Sequence, residues 1–123
     1  MEDISPLQKV YTRIRQVCVA TGYDVYDYRP DEVEYPFIFL GEQVKQNDRL
    51  HKDGLTYRTQ VTLHVWHNNP RQRGTFTSIL DEIERGIIEE FGVRGEDIYV
   101  TILGDPEDSR LIHGVIETNI EIK

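Results

Sequence analysis

TYRTQVTLHVWH, residues 56–67, decides how the rest of the chain is read. Tyr57, Thr59, Val61, Leu63 and Val65 fall on one side of an extended backbone. Arg58, Gln60, Thr62, His64 and Trp66 fall on the other. Alternation with a period of two marks a strand with one face on a core and one turned outward. Asn68-Asn69-Pro70 ends it as a turn. Beyond the turn the period changes. Phe76, Ile79, Leu80, Ile83, Ile87 and Phe91 recur at three- and four-residue steps, which predicts an amphipathic helix stopping at Gly92. Asp81, Glu82, Glu84, Glu89 and Glu90 mostly fall off that stripe, as on a solvated face.

The same two periods organise the flanks. Ser5-Pro6 reads as an N-cap followed by proline at the first helical position. Leu7, Val10, Tyr11, Ile14, Val17 and Cys18 then line one face, giving a helix near 6–20 with Gly22 as its stop. YDVYDYR, 23–29, alternates weakly, and its tyrosines keep no single parity. PFIFLGE, 36–42, is apolar on both faces, as in a strand covered on both sides. QVKQNDRLHKDG, 43–54, is polar and ends in an Asp53-Gly54 turn signal, so it is a long loop or the exposed tip of a hairpin. DIYVTIL, 97–103, and LIHGVIETNIEIK, 111–123, alternate again, and the turn-rich 104–110 joins them as an antiparallel pair. The order is helix, two or three strands, helix, two strands. That predicts an α+β fold, a mostly antiparallel sheet with two helices packed on one face.

The 123 residues suit one domain around one core, and no linker, repeat or low-complexity tract divides them. No apolar run approaches the roughly 18 residues that span a bilayer, and the acidic, polar start MEDISPLQKV is no secretory signal. A single cysteine excludes an intramolecular disulfide and suits a reducing compartment. Its place on an apolar helix face makes it a buried thiol rather than a nucleophile. With 22 acidic against 14 basic residues the net charge is −8, which argues against general affinity for nucleic acid. The acids come in short runs at 31–34, 81–84, 89–90 and 105–108, the pattern of a soluble, self-repelling surface.

Catalytic chemistry finds little support. His64 and His67 are three apart across a strand end, so they face opposite sides and cannot share a metal as they would on a helix. They read as solvent-facing or interface histidines. Ser5, Ser78 and Ser109 sit in a cap, a helix and a loop, and none occupies a nucleophile elbow. The glycines after the second helix open no phosphate-cradling turn. These patterns predict no catalytic residue, no metal site and no cofactor. The stronger signal is Trp66 beside His64, Gln60 and Arg58, because Trp and Arg are enriched where proteins meet. Two readings stand for Trp66: a partner covers it, or another segment of the same chain does. The basic residues Lys45, Arg49 and Lys52 of the long polar segment join the interface set.

Three segments carry a family resemblance: YPFIFLGEQ from Tyr35 to Gln43, TLHVWHN from Thr62 to Asn68, and RGTFTSILDEIE from Arg73 to Glu84. In order and spacing they resemble small siphophage proteins of the head–tail joining cassette, similar to the lambda tail terminator class. They cover much of the central half of the chain and include no catalytic signature. The resemblance implies that residues 1–123 form one tail-terminator-like domain that closes into a hexameric ring. Such a ring caps the tail tube, stops its polymerisation and joins it to the head connector or completion protein. It implies a virion (tail) protein assembled in the host cytoplasm, not an enzyme. Its partners would be further copies of itself, the major tail tube protein and the head connector, without a membrane. DNA would pass through the lumen without specific binding.

A ring interface is heterologous, with one patch meeting a different one on the neighbour. The expected patches are the outer face of 56–67 with the 43–54 segment, and the edge of 97–103 or 111–123. Rival readings are a connector-closing protein of the same cassette, and a metal-dependent hydrolase or nuclease using His64, His67 or His113. A small-ligand binding module is a third.

Overall fold

The computed structural model describes residues 5–28, 30–51 and 54–122, with side chains for all but 46–51, 54–57 and 122. Two helices, α1 (Pro6–Val19) and α2 (Arg73–Phe91), accompany five strands. The strands are β1 (Asp24–Tyr26), β2 (Phe37–His51), β3 (Gly54–His67), β4 (Ile98–Gly104) and β5 (Ile112–Ile122). They form one sheet in the order β1-β2-β3-β5-β4. Only the β1–β2 pair is parallel; the rest of the ladder is antiparallel. This is the predicted α+β class.

The ladder shows why the alternation of β3 organises the molecule. Val61, Leu63 and Val65 stand opposite Thr118, Ile116 and Gly114 on β5, and Leu63 and Val65 also oppose Leu40 and Ile38 on β2. All but Gly114 are 6% exposed or less. Phe76, Ile79, Leu80, Ile83 and Ile87 of α2 are equally buried, as are Val10, Ile14 and Cys18 of α1. They share one core with those strand residues. Gly114 marks a close approach: a Cβ there would lie 2.7 Å from Leu80 Cδ2 and 3.0 Å from Phe76 Cζ. The start of α1 rides on the same side of β2, where Gln43 Nε2 donates to Leu7 O at 3.1 Å.

Local signals explain the helix ends. Ser5 Oγ accepts from Leu7 N at 3.2 Å ahead of Pro6, so α1 starts with a cap. Gly92 ends α2 at φ 65, a left-handed conformation that costs a side-chain-bearing residue about 1–2 kcal/mol. The helices meet through Val17 and Gly86, beside an exposed pair in which Arg13 Nε donates to Glu90 Oε1 at 2.8 Å. A pair so exposed adds at most about 1 kcal/mol.

The ladder decides between readings that the sequence leaves open, and changes one of them. The segment 43–54 is a hairpin: β2 runs on to His51 and turns back into β3 at Gly54, with Lys52 and Asp53 outside the described residues. The β3–β5 ladder stops at Tyr57↔Ile122, so from Arg49↔Thr56 to His51↔Gly54 the hairpin is a two-stranded arm among the described residues. β2 carries two irregularities. Gly41 and Glu42 form the first between the pairs Leu40↔Leu63 and Gln43↔Val61, and Asp48 lies in the second. The 111–123 strand is not a sheet edge over most of its length, since β5 pairs with β4 from Ile112 to Thr118 and with β3 on its other side. The edge belongs to β4, which exposes Tyr99, Val100 and Leu103. The weak alternation of 23–29 contains a three-residue strand.

Two consequences are testable. Burial pushes the Cys18 thiol up to about 12, against a weaker downward pull from Arg15. The folded protein will therefore leave Cys18 unmodified by iodoacetamide at mildly alkaline pH, and modification will track unfolding in urea. Thr59 Oγ1 and Thr118 Oγ1 are buried with no hydrogen-bond partner among the described residues. Replacing a lone buried hydroxyl by a methyl removes its desolvation cost, so Thr118→Val will raise the unfolding free energy by about 1 kcal/mol, read from urea melts.

Candidate functional site: an aromatic–histidine groove

The outward positions of β3 do not all reach one place. Arg58 stands opposite Glu121 of β5, and Trp66 stands opposite His113. Eight residues at about 3.3 Å each separate Arg58 from Trp66 by about 26 Å. Arg58 and Gln60 therefore sit at the base of the arm, while His64 and Trp66 sit at the far end of the sheet. Lys45 opposes Thr59, a core-side residue, so it lies on the helix side of the sheet and not on the face of Arg58. Arg49 opposes Thr56 in the arm, its side chain outside the described set, and Lys52 lies outside the described residues altogether. The interface set read from the sequence thus divides between two ends of the sheet.

At the far end the outer face is a stack of rings. Trp66 lies flat on His113, with centroids 3.8 Å apart and planes at 6°. His113 in turn stacks on His64 at 5.0 Å, and Phe39 closes on His64 at 6.0 Å. Cross-strand pairing produces this directly, because Phe39↔His64 and Trp66↔His113 are register partners. Gly41 lets the backbone pass close to His64: a Cβ there would meet the imidazole at 2.9 Å.

The two imidazoles are hydrogen-bonded, His64 Nδ1 to His113 Nε2 at 2.8 Å, and His64 Nε2 lies 4.0 Å from Glu42 Oε2. With both rings neutral, His113 Nε2–H donates to His64 Nδ1 while His64 Nε2–H points toward the Glu42 carboxylate; with His64 charged, its Nδ1–H donates to His113 Nε2 instead.

Burial, and next the charge of His64, push the His113 ring down to about 4; Asp105 pulls weakly the other way. The sign of the pH effect follows. Below about 6.5 the unfolded chain takes up a proton at His113 that the folded chain refuses until about 4. Stability contributed by neutral His113 is complete above this window and falls as the pH drops through it. Urea midpoints of the wild type will fall more steeply across that range than those of His113→Gln.

Two loops wall the stack. Pro30, Asp31, Val33 and Tyr35 stand on one side, and Asp105 and Leu111 on the other, enclosing a groove of about 540 Å³. Asp105 is itself fixed, its Oδ1 accepting from Glu107 N at 2.8 Å and Asp108 N at 3.2 Å. Asp31 and Asp105, one from each of the acidic runs at 31–34 and 105–108, therefore line one groove. Among the described residues its lining includes no lysine or arginine. Trp66 is half-buried, partly covered by its own chain and still open to the groove.

His67 corrects the expectation of a solvent-facing or interface residue. It is 3% exposed on the core side, its Nε2 donating to Gln72 Oε1 at 2.8 Å while Nδ1 accepts from Asn68 N at 3.0 Å. It is a neutral structural histidine that ties the strand end to the turn before α2. Phe39, Asp105 and the stacking of His113 on Trp66 were not in the sequence-derived set. The pairing of His113 with Trp66 is invisible without the β3–β5 register. Among the described residues no three His, Cys, Asp or Glu side chains converge as metal ligands. No described helix is long and apolar enough to cross a membrane.

No family model and no curated protein matches the chain. Among solved structures it is similar to a chain of the "Virion of native gene transfer agent (GTA) particle". Identity is 15% and the TM-score is 0.48, over 92% of each chain. A likeness at that level carries no argument about function.

Proposed function

We propose that the chain is a structural subunit of a phage or prophage tail. It closes a hexameric ring that caps the tail tube and joins it to the head connector, without catalysis or cofactor. The reading rests on how the three segments with family resemblance come together. Tyr35–Gln43 and Thr62–Asn68 contain the directly paired stretches of β2 and β3, from Phe37↔Trp66 to Leu40↔Leu63. Arg73–Glu84 is the part of α2 whose Phe76, Ile79, Leu80 and Ile83 fill the core. A resemblance carried by one packed unit is stronger than one scattered over loops. The subunit also has unlike outward features at opposite ends of its sheet, as a head-to-tail ring requires.

In this reading the mechanism is geometric. Ring closure fixes identical copies so that one annular surface matches the end of the tube, and many weak contacts act together. The test is solution mass by light scattering after size exclusion, over a concentration series, with and without purified tail-tube protein. Subunits have a mass of 14.4 kDa, and assemblies near six of them, alone or on the tube, are expected. A monomer indifferent to concentration and to tube protein would overturn the reading. A ring that binds connector but not tube would replace it with the connector-closing role.

A further inference from the structure

We propose that the basic turn at Pro70–Gly74 of one copy docks into the acidic aromatic groove of the next. The inference rests on the ring reading and gives that ring its contact.

The turn is a cationic feature that its own chain leaves unmatched. Residues 54–80 contain no aspartate or glutamate, in a chain with 22 acidic residues. Arg71 and Arg73 lie in that stretch at exposed positions, and among the described residues neither guanidinium has an ion pair. Arg73 is also the first residue of α2, whose first turn holds no acid and whose N-cap, Gln72, makes no capping side-chain bond. Cations at a helix N-terminus are unfavourable, because the free N–H groups there already carry partial positive charge. The local sequence thus runs against the stability of its own helix, as happens where a surface is kept for function. The turn is nonetheless held in shape. Asn69 Oδ1 accepts from Arg71 N at 3.1 Å, Asn69 O accepts from Gln72 N at 3.0 Å, and the Gln72 side chain is tied to His67. Both arginines therefore stand on a fixed backbone, which lowers the ordering cost of a contact.

The groove supplies what the turn lacks. Asp31 and Asp105 line it from opposite walls, with Phe37, Phe39 and Trp66 between them. A guanidinium is planar, so it can lie on a ring face while its N–H groups reach carboxylates on either side. Within one copy the two features do not meet. The stripe of α2 packs on the core face of the sheet, the groove opens on the outer face, and neither arginine lines it. A contact between copies therefore joins unlike faces, and it leaves a free groove and a free turn for the next copy. That is the head-to-tail arrangement that closes a ring.

Charge reversal tests this. The turn variant carries Arg71→Glu and Arg73→Glu. The groove variant carries Asp31→Lys and Asp105→Asn, the asparagine keeping an oxygen to accept from Glu107 N and Asp108 N. Each alone should raise the concentration at half-assembly by at least about tenfold, with tube protein present if the wild type needs it. The turn variant should keep or raise the urea midpoint of the unassembled chain, because acids suit the start of α2, so its lost assembly is not lost folding. Mixed in equal amounts, the two variants should assemble again. Native arginines then meet a native groove at one contact, and the introduced glutamates meet the introduced lysine at the next. Emission of Trp66, the sole tryptophan, should change with assembly in the wild type and not in the turn variant. If either variant assembles normally, or the mixture stays dissociated while both variants are folded by circular dichroism, the turn–groove contact is wrong although the ring stands. If the arginines serve phosphate instead, the wild type will bind double-stranded DNA, the turn variant will not, and both will assemble alike, which also overturns the contact. A wild type that never self-associates, with or without tube protein, overturns contact and ring together.

Discussion

Phe76→Ala will lower the unfolding free energy by about 3–5 kcal/mol, the usual cost of emptying a fully enclosed aromatic site. Phe76 is 0% exposed and opens the apolar stripe of α2, one helical step before Leu80 and two before Ile83. Its ring end sits against the bare backbone of Gly114, beside the Leu80 methyls. A domain of this size has about 5–15 kcal/mol of stability in total. The variant should therefore unfold at a markedly lower urea midpoint, with its slope unchanged if the native state stays compact.

Gly114→Ala is the complementary experiment. The added methyl would stand 2.7 and 2.9 Å from the two Leu80 methyls and 3.0 Å from Phe76. Overpacking of this kind costs about 1–3 kcal/mol, and removing a glycine from a strand offsets only about 0.5–1 of it. The Phe76→Ala background gives the new methyl room. The double variant should therefore be less destabilised than the sum of the two, a favourable coupling measurable in a double-mutant cycle. Strict additivity would mean that α2 and β5 are not in the contact described.

What was legible in the sequence follows the period of the apolar residues. β3, both helices and the β4–β5 pair were readable because their core faces repeat at two or at three to four residues, as in Val61-Leu63-Val65 and Phe76-Ile79-Leu80-Ile83. Residues 43–51 show no apolar alternation, so the sequence alone does not separate a loop from a hairpin there. β1 is too short to set a period, and its tyrosines point both ways. The site was half visible. His64 and Trp66 stand out by type, but neighbours in sequence are not all neighbours in space. A strand spreads such residues along its length, which is why Arg58 and Trp66 separate. His113, Asp31 and Asp105 arrive from distant segments through a strand register that a single sequence does not contain. The burial of His67 is not legible in the strand pattern, because its partner Gln72 lies five residues on and across a turn.

The irregularity at Gly41 and Glu42 works as a phase shift. Before it, Ile38 and Leu40 oppose core residues of β3; after it, Gln43 and Lys45 do, and the parity has changed. The second shift near Asp48 changes it again. The frame of the domain and the arm that leaves it are thus keyed separately. Residues added in pairs near the tip would lengthen the arm and leave every core contact in register. Deleting Glu42 would remove the shift, so that the alternation of Ile38 and Leu40 ran straight on into Gln43 and Lys45 opposite Val61 and Thr59. A chain built this way can change reach and partner without renegotiating its core.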